Sequence, residues 1–520
     1  MRFYTNVHSA GNSIFVREFV DGDRQEPRRI AYKPTMYLPA PIGQITELHA
    51  PDGTWVVPKK FDSISDCREF MKKFEGTENF RIYGSTSFAH TWIFENYPDE
   101  EIPFDVSKIR IFNIDIEVAC EAGFSEAKDA TEQLTAITIK NSEDKMFHVF
   151  GMGEFTTPNG PDGKPREDID YRQSEDEMAM IECFLQYWED NYPDIVTGWN
   201  IKIFDIPYLV NRITRVLGEK DAKRLSPWKM IREKTETLFH RDVFVYEVAG
   251  VGIIDYMAIY RKNVQEPRES YSLNNIATVE LGEQKISYSE VESLHSLYRT
   301  NHQKFLLYNI HDVELVDRLD AKLKLIELQL VVAYDSHVNY EDVFSQVRVW
   351  DTGIHNHLLK KGVVIPQKVP QEKASSYAGA YVMEPVVGLH NWVVSFDVTS
   401  LYPTIMMLLN IGNESKIDKR TLTPAQRDWL ASFSSRAEGG DPRGPEILLS
   451  GGTDLEMLHS MDATLSANGV LYRREPTSFY SEMITHLFNK RVAYKKRAQN
   501  GKKKLELIHA LQKQRKEAAV

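Results

Sequence analysis

Cysteine is scarce in this sequence of 520 residues, which contains only Cys67, Cys120 and Cys183 and no Cys-x-x-Cys pair. Such a sparse, odd set predicts neither a disulfide framework nor a cysteine zinc site. The sequence also lacks an apolar run of the ~18 residues that a transmembrane helix needs, and no signal-peptide core follows Met1. We therefore expect a reduced, cytoplasmic protein with no membrane-spanning segment.

Net positive charge is lacking too, because the formal net charge is −12. The average conceals a basic end, since residues 489–520 contain eleven Lys or Arg and only two Glu. A basic segment on an acidic chain favours contact with phosphates at a local site, although an ordinary solvent-exposed helix would have the same composition. The hydrophobic content of 42% is typical of globular proteins, and the length predicts roughly two to four domains.

An apolar stretch over residues 109–117 predicts a buried strand that carries two carboxylates, Asp115 and Glu117. Since side chains alternate along a strand, both acids point to one face, and Ile114 and Ile116 point to the other. Two acids on one face repel each other unless a cation lies between them, and an all-oxygen set of ligands favours Mg²⁺ or Mn²⁺. The alternative is an exposed edge strand whose two acids are solvated.

Three further polar residues lie at helical positions later in the chain. Asp205 directly precedes a helix opened by Pro207, where an N-cap role is the ordinary explanation. Residues 305–319 have a helical pattern in which Tyr308 and Asp312, four residues apart, are neighbours on one face. A surface Tyr–Asp pair is common, so neither pattern identifies a site by itself.

Together these residues resemble the 3′–5′ proofreading exonuclease of DNA polymerases, which has an RNase H-like fold. The resemblance rests on Asp-x-Glu in a strand, an Asp about 90 residues later and Tyr-x-x-x-Asp about 100 residues further on. Tyr308 would then orient the attacking water or the phosphate. A β-hairpin, expected over residues 237–254, would help to separate primer from template. The resemblance implies that two Mg²⁺ or Mn²⁺ ions are held by four carboxylates, namely Asp115, Glu117, Asp205 and Asp312.

A second pattern lies at residues 393–403, where a short apolar run ends at Asp397 and Pro403 can open a helix. The run predicts a buried strand that delivers Asp397 to the open end of a sheet, although Asp is also a common turn residue after a strand. The full string Asp-x-x-Ser-Leu-Tyr-Pro resembles the first palm motif of family B (α-like) DNA polymerases. That resemblance implies a polymerase active site that also uses two Mg²⁺ or Mn²⁺ ions.

The palm resemblance implies a role for each residue of this turn. Asp397 would bind both metal ions through its carboxylate, and Val398 would contribute its carbonyl oxygen. The backbone at Ser400 and Leu401 would hold the triphosphate of a deoxynucleoside triphosphate. Tyr402 would lie under the sugar and exclude a 2′-hydroxyl group.

Two other stretches are similar to the same family. Residues 488–495 resemble the first fingers helix, on which Arg491 and Lys495 are four residues apart and can both reach one triphosphate. Residues 377–382 resemble the tyrosine–glycine motif that contacts template DNA, through Tyr377 and Gly379, with Ala380 where the family has a second Gly. The segment at 224–227 narrows the resemblance to polymerases of the T-even bacteriophage type.

The resemblance implies a multidomain protein of α/β and α+β class, with an RNase H-like exonuclease domain and a partial polymerase palm and fingers. Its expected parts are an N-terminal mixed α/β domain (1–107), the exonuclease domain (108–340), a segment that returns to the N-terminal domain (341–384), a partial palm (385–480) and the first fingers helix (481–520).

Two strings that the family needs do not occur: Lys-x-x-x-Asn-Ser-x-Tyr-Gly of the second fingers helix and Asp-Thr-Asp of the palm. We therefore expect the N-terminal part of a split or truncated phage polymerase, completed in trans by a complementary C-terminal chain in an infected bacterium. Its partners would be primer–template DNA, deoxynucleoside triphosphates and, through that chain, a sliding clamp. The alternatives are a stand-alone 3′–5′ exonuclease with a vestigial palm and an RNA- or DNA-binding regulatory module. The intact set of carboxylates favours an enzyme.

Overall fold

The structure is a computed structural model, and it divides the chain into two compact units. One unit is Met1–Ala50 with Thr54–Gln367, and the other is Pro51–Gly53 with Lys368–Val520. The described residues are 1–77, 80–99, 101–120, 126–160, 163–238, 241–367, 383–437, 453–466 and 469–517.

The first unit begins with two small antiparallel sheets and two helices. In one sheet β2 pairs with β1, β3 and β4, and in the other β7 pairs with β5 and β6. The bounds are β1 (Arg2–Ala10), β2 (Ser13–Val20), β3 (Asp23–Arg24), β4 (Arg28–Ala31), β5 (Thr35–Pro39), β6 (Leu48–His49), β7 (Trp55–Lys60), α1 (Ile64–Lys73) and α2 (Phe88–Asn96).

A six-stranded mixed sheet forms the centre of this unit, in the order β11-β10-β9-β8-β12-β15. Strand β9 is antiparallel to both β8 and β10, whereas β12 is parallel to both β8 and β15. Together with its helices, this sheet confirms the expected mixed α/β class. Its six strands are β8 (Ile111–Val118), β9 (Leu134–Asn141), β10 (Phe147–Gly151), β11 (Ile169–Gln173), β12 (Ile195–Gly198) and β15 (Gly252–Asp255). Two further strands, β13 (Ile231–Leu238) and β14 (Arg241–Val248), pair only with each other among the described strands.

A separate hairpin of this unit pairs β13 with β14, from Ile231 opposite Val248 to Leu238 opposite Arg241. The sequence-based placement over residues 237–254 was therefore shifted toward the C-terminus. The reason is that residues 252–255 form β15, which pairs with β12 in the central sheet. Gly250, with φ of +92°, lies in the turn that joins the hairpin to β15.

Helices cover the central sheet, and the most important for the site is α9, which packs against β8 and β9. It begins after Asn301, whose side-chain oxygen accepts a hydrogen bond from the Lys304 amide over 3.0 Å. The helices are α3 (Glu177–Asp190), α4 (Asp205–Val216), α5 (Glu219–Ala222), α6 (Tyr256–Asn263), α7 (Leu273–Leu281), α8 (Leu294–Thr300), α9 (His302–Leu323), α10 (Leu325–Ser336) and α11 (Gln346–Lys360), with 3-10 turns at Val106–Lys108, Lys223–Leu225 and Tyr340–Phe344.

A buried charge cluster ties the amino-terminal sheet to the central sheet. The Asp194 carboxylate, just before β12, is completely buried and lies 3.1 Å from Arg17 Nη2 on β2 and 2.7 Å from Arg24 Nη1 on β3. Arg17 also donates to the carbonyl oxygen of Gly250 over 2.6 Å. Because these bonds come from separate segments, the cluster holds the two sheets in one orientation.

In its described residues, the second unit contains helices and one short hairpin. Its apolar residues 393–396 are not in a strand, and Val393, Val394 and Phe396 are 76%, 71% and 92% exposed. The expected buried strand is therefore wrong for this structure, because no described strand pairs with this segment. The elements are α12 (Leu401–Leu408), α13 (Pro424–Ala437), α14 (Thr453–Ser460), β16 (Ala463–Leu465), β17 (Leu471–Arg473) and α15 (Phe479–Glu517), with a 3-10 turn at Lys419–Thr421.

Helix α15 contains the basic end of the sequence, and its described side chains beyond residue 492 are exposed. None of the helices in the described parts of the chain combines the length and the apolar character needed to cross a membrane.

Candidate active site

The site is built on β8, an interior strand of the central sheet that carries Asp115 and Glu117. Ile114 and Ile116 alternate with them and belong to a buried apolar cluster. Both acids therefore share a face, as the strand periodicity predicts. Because β9 and β12 flank β8, the alternative of a solvated edge strand is excluded.

Helix α9 adds Asp312 and Tyr308 to this face. Single carboxylate oxygens of Asp115, Glu117 and Asp312 all lie within 4.8 Å of one another. Glu117 and Asp312 are buried, and Asp115 is partly exposed. The structure thus brings together three acids that are separated by up to 197 positions in the sequence.

Asp205, the first residue of α4, contacts the same strand. Its Oδ1 accepts a hydrogen bond from the Ile116 amide over 3.2 Å, and the side chain is buried. The N-cap residue of α4 is Phe204, so the cap explanation for Asp205 does not hold. Asp205 lies against the backbone between Asp115 and Glu117, but it is outside the group of three oxygens.

Burial makes this group of acids difficult to ionise in the absence of a cation. Desolvation raises the pKa of Glu117 to about 8, and the charge of Asp312 adds to the effect. Desolvation likewise raises the pKa of Asp205 to about 7. The pKa values of Asp115 and Asp312 are raised mainly by burial, and for Asp115 also by Glu117. A divalent cation would remove this penalty by neutralising the carboxylates.

Lys285 is a member of the site that the sequence reasoning missed. Its Nζ donates to Asp312 Oδ2 over 2.6 Å and to the Tyr308 hydroxyl over 3.1 Å. Burial lowers the pKa of Lys285, but its interactions with Asp312, Tyr308 and Asp115 outweigh this effect, so the pKa is raised above its ordinary value. The residue lies between α7 and α8, in a segment with no periodic pattern, so only the folded chain identifies it.

Asn309 was also missed, although it follows Tyr308 directly. Its side chain is completely buried between α9 and the sheet, and its Nδ2 donates to Asp115 Oδ2 over 2.7 Å. Its Oδ1 accepts a hydrogen bond from the Thr138 hydroxyl on β9. A buried Asn on the sheet-facing side of a helix was a usable signal, because buried amides need polar partners.

The donor set fits a hard divalent cation. Carboxylate oxygens are the ligands that Mg²⁺ and Mn²⁺ prefer. Asp312 Oδ1 is buried and has no hydrogen-bond partner among the described residues, which leaves one oxygen free for a metal. The residues that can hold it are Asp115, Glu117 and Asp312, with Asp205 beside them.

In the second unit the predicted palm residues lie at the start of α12. Asp397 and Val398 are exposed in the segment before the helix, and Ser400, with φ of +51°, is the residue that precedes it. A non-glycine residue in the left-handed region is uncommon and often marks a functional turn. Leu401 and Tyr402, in the first turn of α12, are exposed.

The fingers residues approach the same turn. Arg491 on α15 donates from Nη1 to Ser400 Oγ over 2.9 Å, and Lys495 is exposed one turn later. The structure therefore brings together two residues of the predicted triphosphate site from helices that are far apart in sequence. Tyr377 and Gly379 lie outside the described residues.

Comparison with known families finds two matches along the chain. Residues 89–276 match the exonuclease domain of DNA polymerase family B, and residues 345–517 match DNA polymerase family B. The first match includes Asp115, Glu117 and Asp205. The second includes Asp397 and Arg491.

Individual relatives agree with these families. The DNA-directed DNA polymerase of Escherichia phage RB69 is 32% identical over 511 residues, which is 95% of this chain and 54% of the relative. That of Enterobacteria phage T4 is 32% identical over 79% of this chain and 47% of the relative. The DNA polymerase delta catalytic subunit of Candida albicans is 26% identical over 63% of this chain and 32% of the relative. The chain thus spans about half the length of its phage relatives.

Proposed function

The chain belongs to family B of the DNA polymerases, and from this membership and the geometry of its acids we propose that it hydrolyses DNA from the 3′ end and provides part of a phage replicative polymerase. The main support for the exonuclease activity is that carboxylate oxygens of Asp115, Glu117 and Asp312 lie within 4.8 Å of one another. Buried acids this close together destabilise the folded chain unless they bind a cation.

In the proposed exonuclease, Asp115, Glu117, Asp205 and Asp312 would hold two Mg²⁺ or Mn²⁺ ions. When bound, these ions would lower the pKa of the attacking water and neutralise negative charge on the phosphate. Hydrolysis joins the water oxygen to phosphorus and breaks the bond from phosphorus to the 3′ oxygen of the preceding nucleotide, which takes up a proton.

Two of the chain's own residues act on the phosphate side of this reaction. Burial raises the pKa of Tyr308, so its hydroxyl stays neutral and can donate a hydrogen bond to water or phosphate. Lys285 lies 3.1 Å from that hydroxyl and keeps its proton, so its ammonium group offsets negative charge that develops on the phosphate. Both residues orient and stabilise the reacting groups.

The test is degradation of 5′-labelled single-stranded DNA by the purified chain in Mg²⁺. We expect Asp115→Ala and Asp312→Asn each to abolish degradation while circular dichroism and DNA binding are retained. Asp129→Ala, at an exposed loop position, is the matched control and should degrade DNA at the normal rate. Undiminished degradation by Asp115→Ala would remove the proposed site.

For synthesis we propose that the second unit supplies half of an active site, which a complementary chain completes in trans. Asp397 and the Val398 carbonyl would hold metal ions there. Ser400, Leu401 and Tyr402 would contact the nucleotide, together with Arg491 and Lys495. In support, the Asp-Thr-Asp string is absent from the sequence, and one carboxylate is too few for a two-metal site.

An uncovered apolar segment supports the same proposal. Val387, Leu389, Trp392 and Phe396 all expose more than 90% of their surface, although side chains of this kind are normally covered. We propose that strands of the complementary chain cover them. Tyr377 and Gly379 are proposed to contact template DNA, and the clamp contact is proposed to belong to the complementary chain.

Primer extension distinguishes the possibilities. The purified chain should degrade a primer but not extend it with all four deoxynucleoside triphosphates, and extension should appear when a chain carrying the two missing strings is added. Extension by the chain alone would overturn the proposal of assembly in trans. Degradation without extension in the mixture would favour a stand-alone exonuclease. We propose that this activity takes place in the cytoplasm of an infected bacterium.

A further inference from the structure

We propose that Asn309 is a positioning residue for the Asp115 carboxylate, and that the Thr138 hydroxyl determines which end of the Asn309 amide faces Asp115. The inference rests on the proposed exonuclease function, because its purpose is to prepare Asp115 for a metal ion. It concerns two uncharged residues that lie behind the acids.

The three residues come from three different elements. Asp115 on β8 and Thr138 on β9 are directly opposite each other in the antiparallel register, so their side chains share one face of the sheet. Asn309 approaches that face from α9. Both Asn309 and Thr138 are completely buried, so water does not compete for their hydrogen bonds.

The chemistry of the amide makes its orientation decisive. An Asn side chain has one end that accepts hydrogen bonds and one that donates them. Asn309 Nδ2 donates to Asp115 Oδ2 over 2.7 Å, and Asn309 Oδ1 accepts from the Thr138 hydroxyl. With the amide reversed, a carbonyl oxygen would face the carboxylate, and the Thr138 hydroxyl would lose its acceptor.

Fixing one oxygen of Asp115 has a consequence for the whole group of acids. A carboxylate is planar, so holding Oδ2 by a short hydrogen bond restricts the direction of Oδ1 as well. Asp312 is held differently, by the charged Lys285 at 2.6 Å. Asp115 is thus held by a neutral donor, which orients it without competing with a metal ion for its charge. Such supporting hydrogen bonds typically change metal affinity by about 10–100-fold.

The experiment measures Mn²⁺ binding to the purified chain by the electron paramagnetic resonance signal of free Mn²⁺. The variants are Asn309→Leu, which keeps the volume and removes the hydrogen bonds to Asp115 and Thr138, Thr138→Val, which removes only the hydroxyl, and Thr138→Ser, which keeps it. The Asp312→Asn variant measures the Mn²⁺ bound at other places, including Asp397, and this amount is subtracted from that bound by each other chain.

We expect Asn309→Leu to weaken the Asp312-dependent Mn²⁺ site by about 10–100-fold and Thr138→Val to weaken it in the same direction by about 10-fold. Thr138→Ser should bind as the unmodified chain does. Degradation of single-stranded DNA by Asn309→Leu and Thr138→Val should recover in part at high Mn²⁺ concentration, because the defect is one of metal affinity.

Unchanged Mn²⁺ affinity in a folded Asn309→Leu chain would overturn the role of Asn309. Unchanged affinity in Thr138→Val, or equal losses in Thr138→Val and Thr138→Ser, would overturn the role of the hydroxyl. If the unmodified chain binds no Mn²⁺ that depends on Asp312, the exonuclease proposal itself is wrong.

Discussion

Lys285 and Asp312 form a salt bridge of 2.6 Å inside the group of carboxylates. The Asp312 side chain is almost completely buried, whereas that of Lys285 is partly exposed. In the absence of metal ions this ammonium group is the counter-charge closest to the acids among the described residues. The metal-free chain should therefore depend on Lys285 for stability.

The first prediction is that Lys285→Met destabilises the metal-free chain by on the order of 2 kcal/mol, because it leaves buried acids without a counter-charge. Urea denaturation in EDTA measures this. Lys304→Met is the matched control, since Lys304 has the same side-chain exposure of 28% but pairs with the half-exposed Glu290. The control should change stability by less than about 0.5 kcal/mol. Equal effects of the two variants would contradict the prediction.

The second prediction concerns metal addition. Mn²⁺ at about 100 times its dissociation constant should stabilise the folded chain by about 2.7 kcal/mol, seen as a rise in Tm that EDTA reverses. Asp312→Asn should abolish most of the rise, because one ligand is lost. The same titration on Asp129→Ala, where an exposed loop residue is changed, should reproduce the full rise. A full rise in Asp312→Asn would place the bound ion elsewhere.

The third prediction concerns the cluster of Asp194 with Arg17 and Arg24. Burial raises the pKa of Asp194, but the two guanidinium groups outweigh it and lower the pKa below its ordinary value. Asp194→Asn should therefore destabilise the chain by about 3–5 kcal/mol at pH 7. Asp21→Asn, at an exposed acid near the amino terminus, should have little effect.

The pH dependence of this cluster has a definite sign. A carboxylate whose pKa is lowered by folding contributes stability above its ordinary pKa, and this contribution is lost as pH falls through the folded value. The difference in unfolding free energy between the unmodified chain and Asp194→Asn should therefore hold at pH 7 and shrink below about pH 4. A difference that grows on acidification would contradict the assignment.

The fourth prediction concerns Glu341, whose Oε1 accepts a hydrogen bond from the Ile253 amide over 2.5 Å. Desolvation raises the pKa of Glu341 from 4.5 to about 7. Between these values the folded state holds a proton that the unfolded state releases, so this group's contribution to stability falls as pH rises. Glu341→Gln keeps the acceptor and should stabilise the chain at pH 8 by on the order of 1 kcal/mol.

Urea denaturation at two pH values checks this. The gain from Glu341→Gln should be present at pH 8 and absent at about pH 4, where both states are protonated. Glu327→Gln, at an exposed position of α10, serves as the control and should give no gain at either pH. A gain of equal size at both values would mean that the carboxyl group's ionisation is not its cause.

Much of the site followed from local periodicity. The period of two placed Asp115 and Glu117 on one face of a strand, and the helical period placed Tyr308 and Asp312 on one face of α9. These relations depend only on backbone geometry over a few residues, so they survive in any fold that keeps the element. The family resemblance then connected the pieces, and the family matches agree with it.

Tertiary structure alone decided the rest. Lys285 and Asn309 were missed because their partners are 27 and 194 residues away, and no local pattern records such contacts. Residues 393–396 have the composition of a buried strand but form none, because a strand exists only when a neighbour supplies hydrogen bonds. The sequence by itself determined which faces carry the acids, since that is local geometry. Which uncharged and cationic groups surround those acids depended on how distant segments pack.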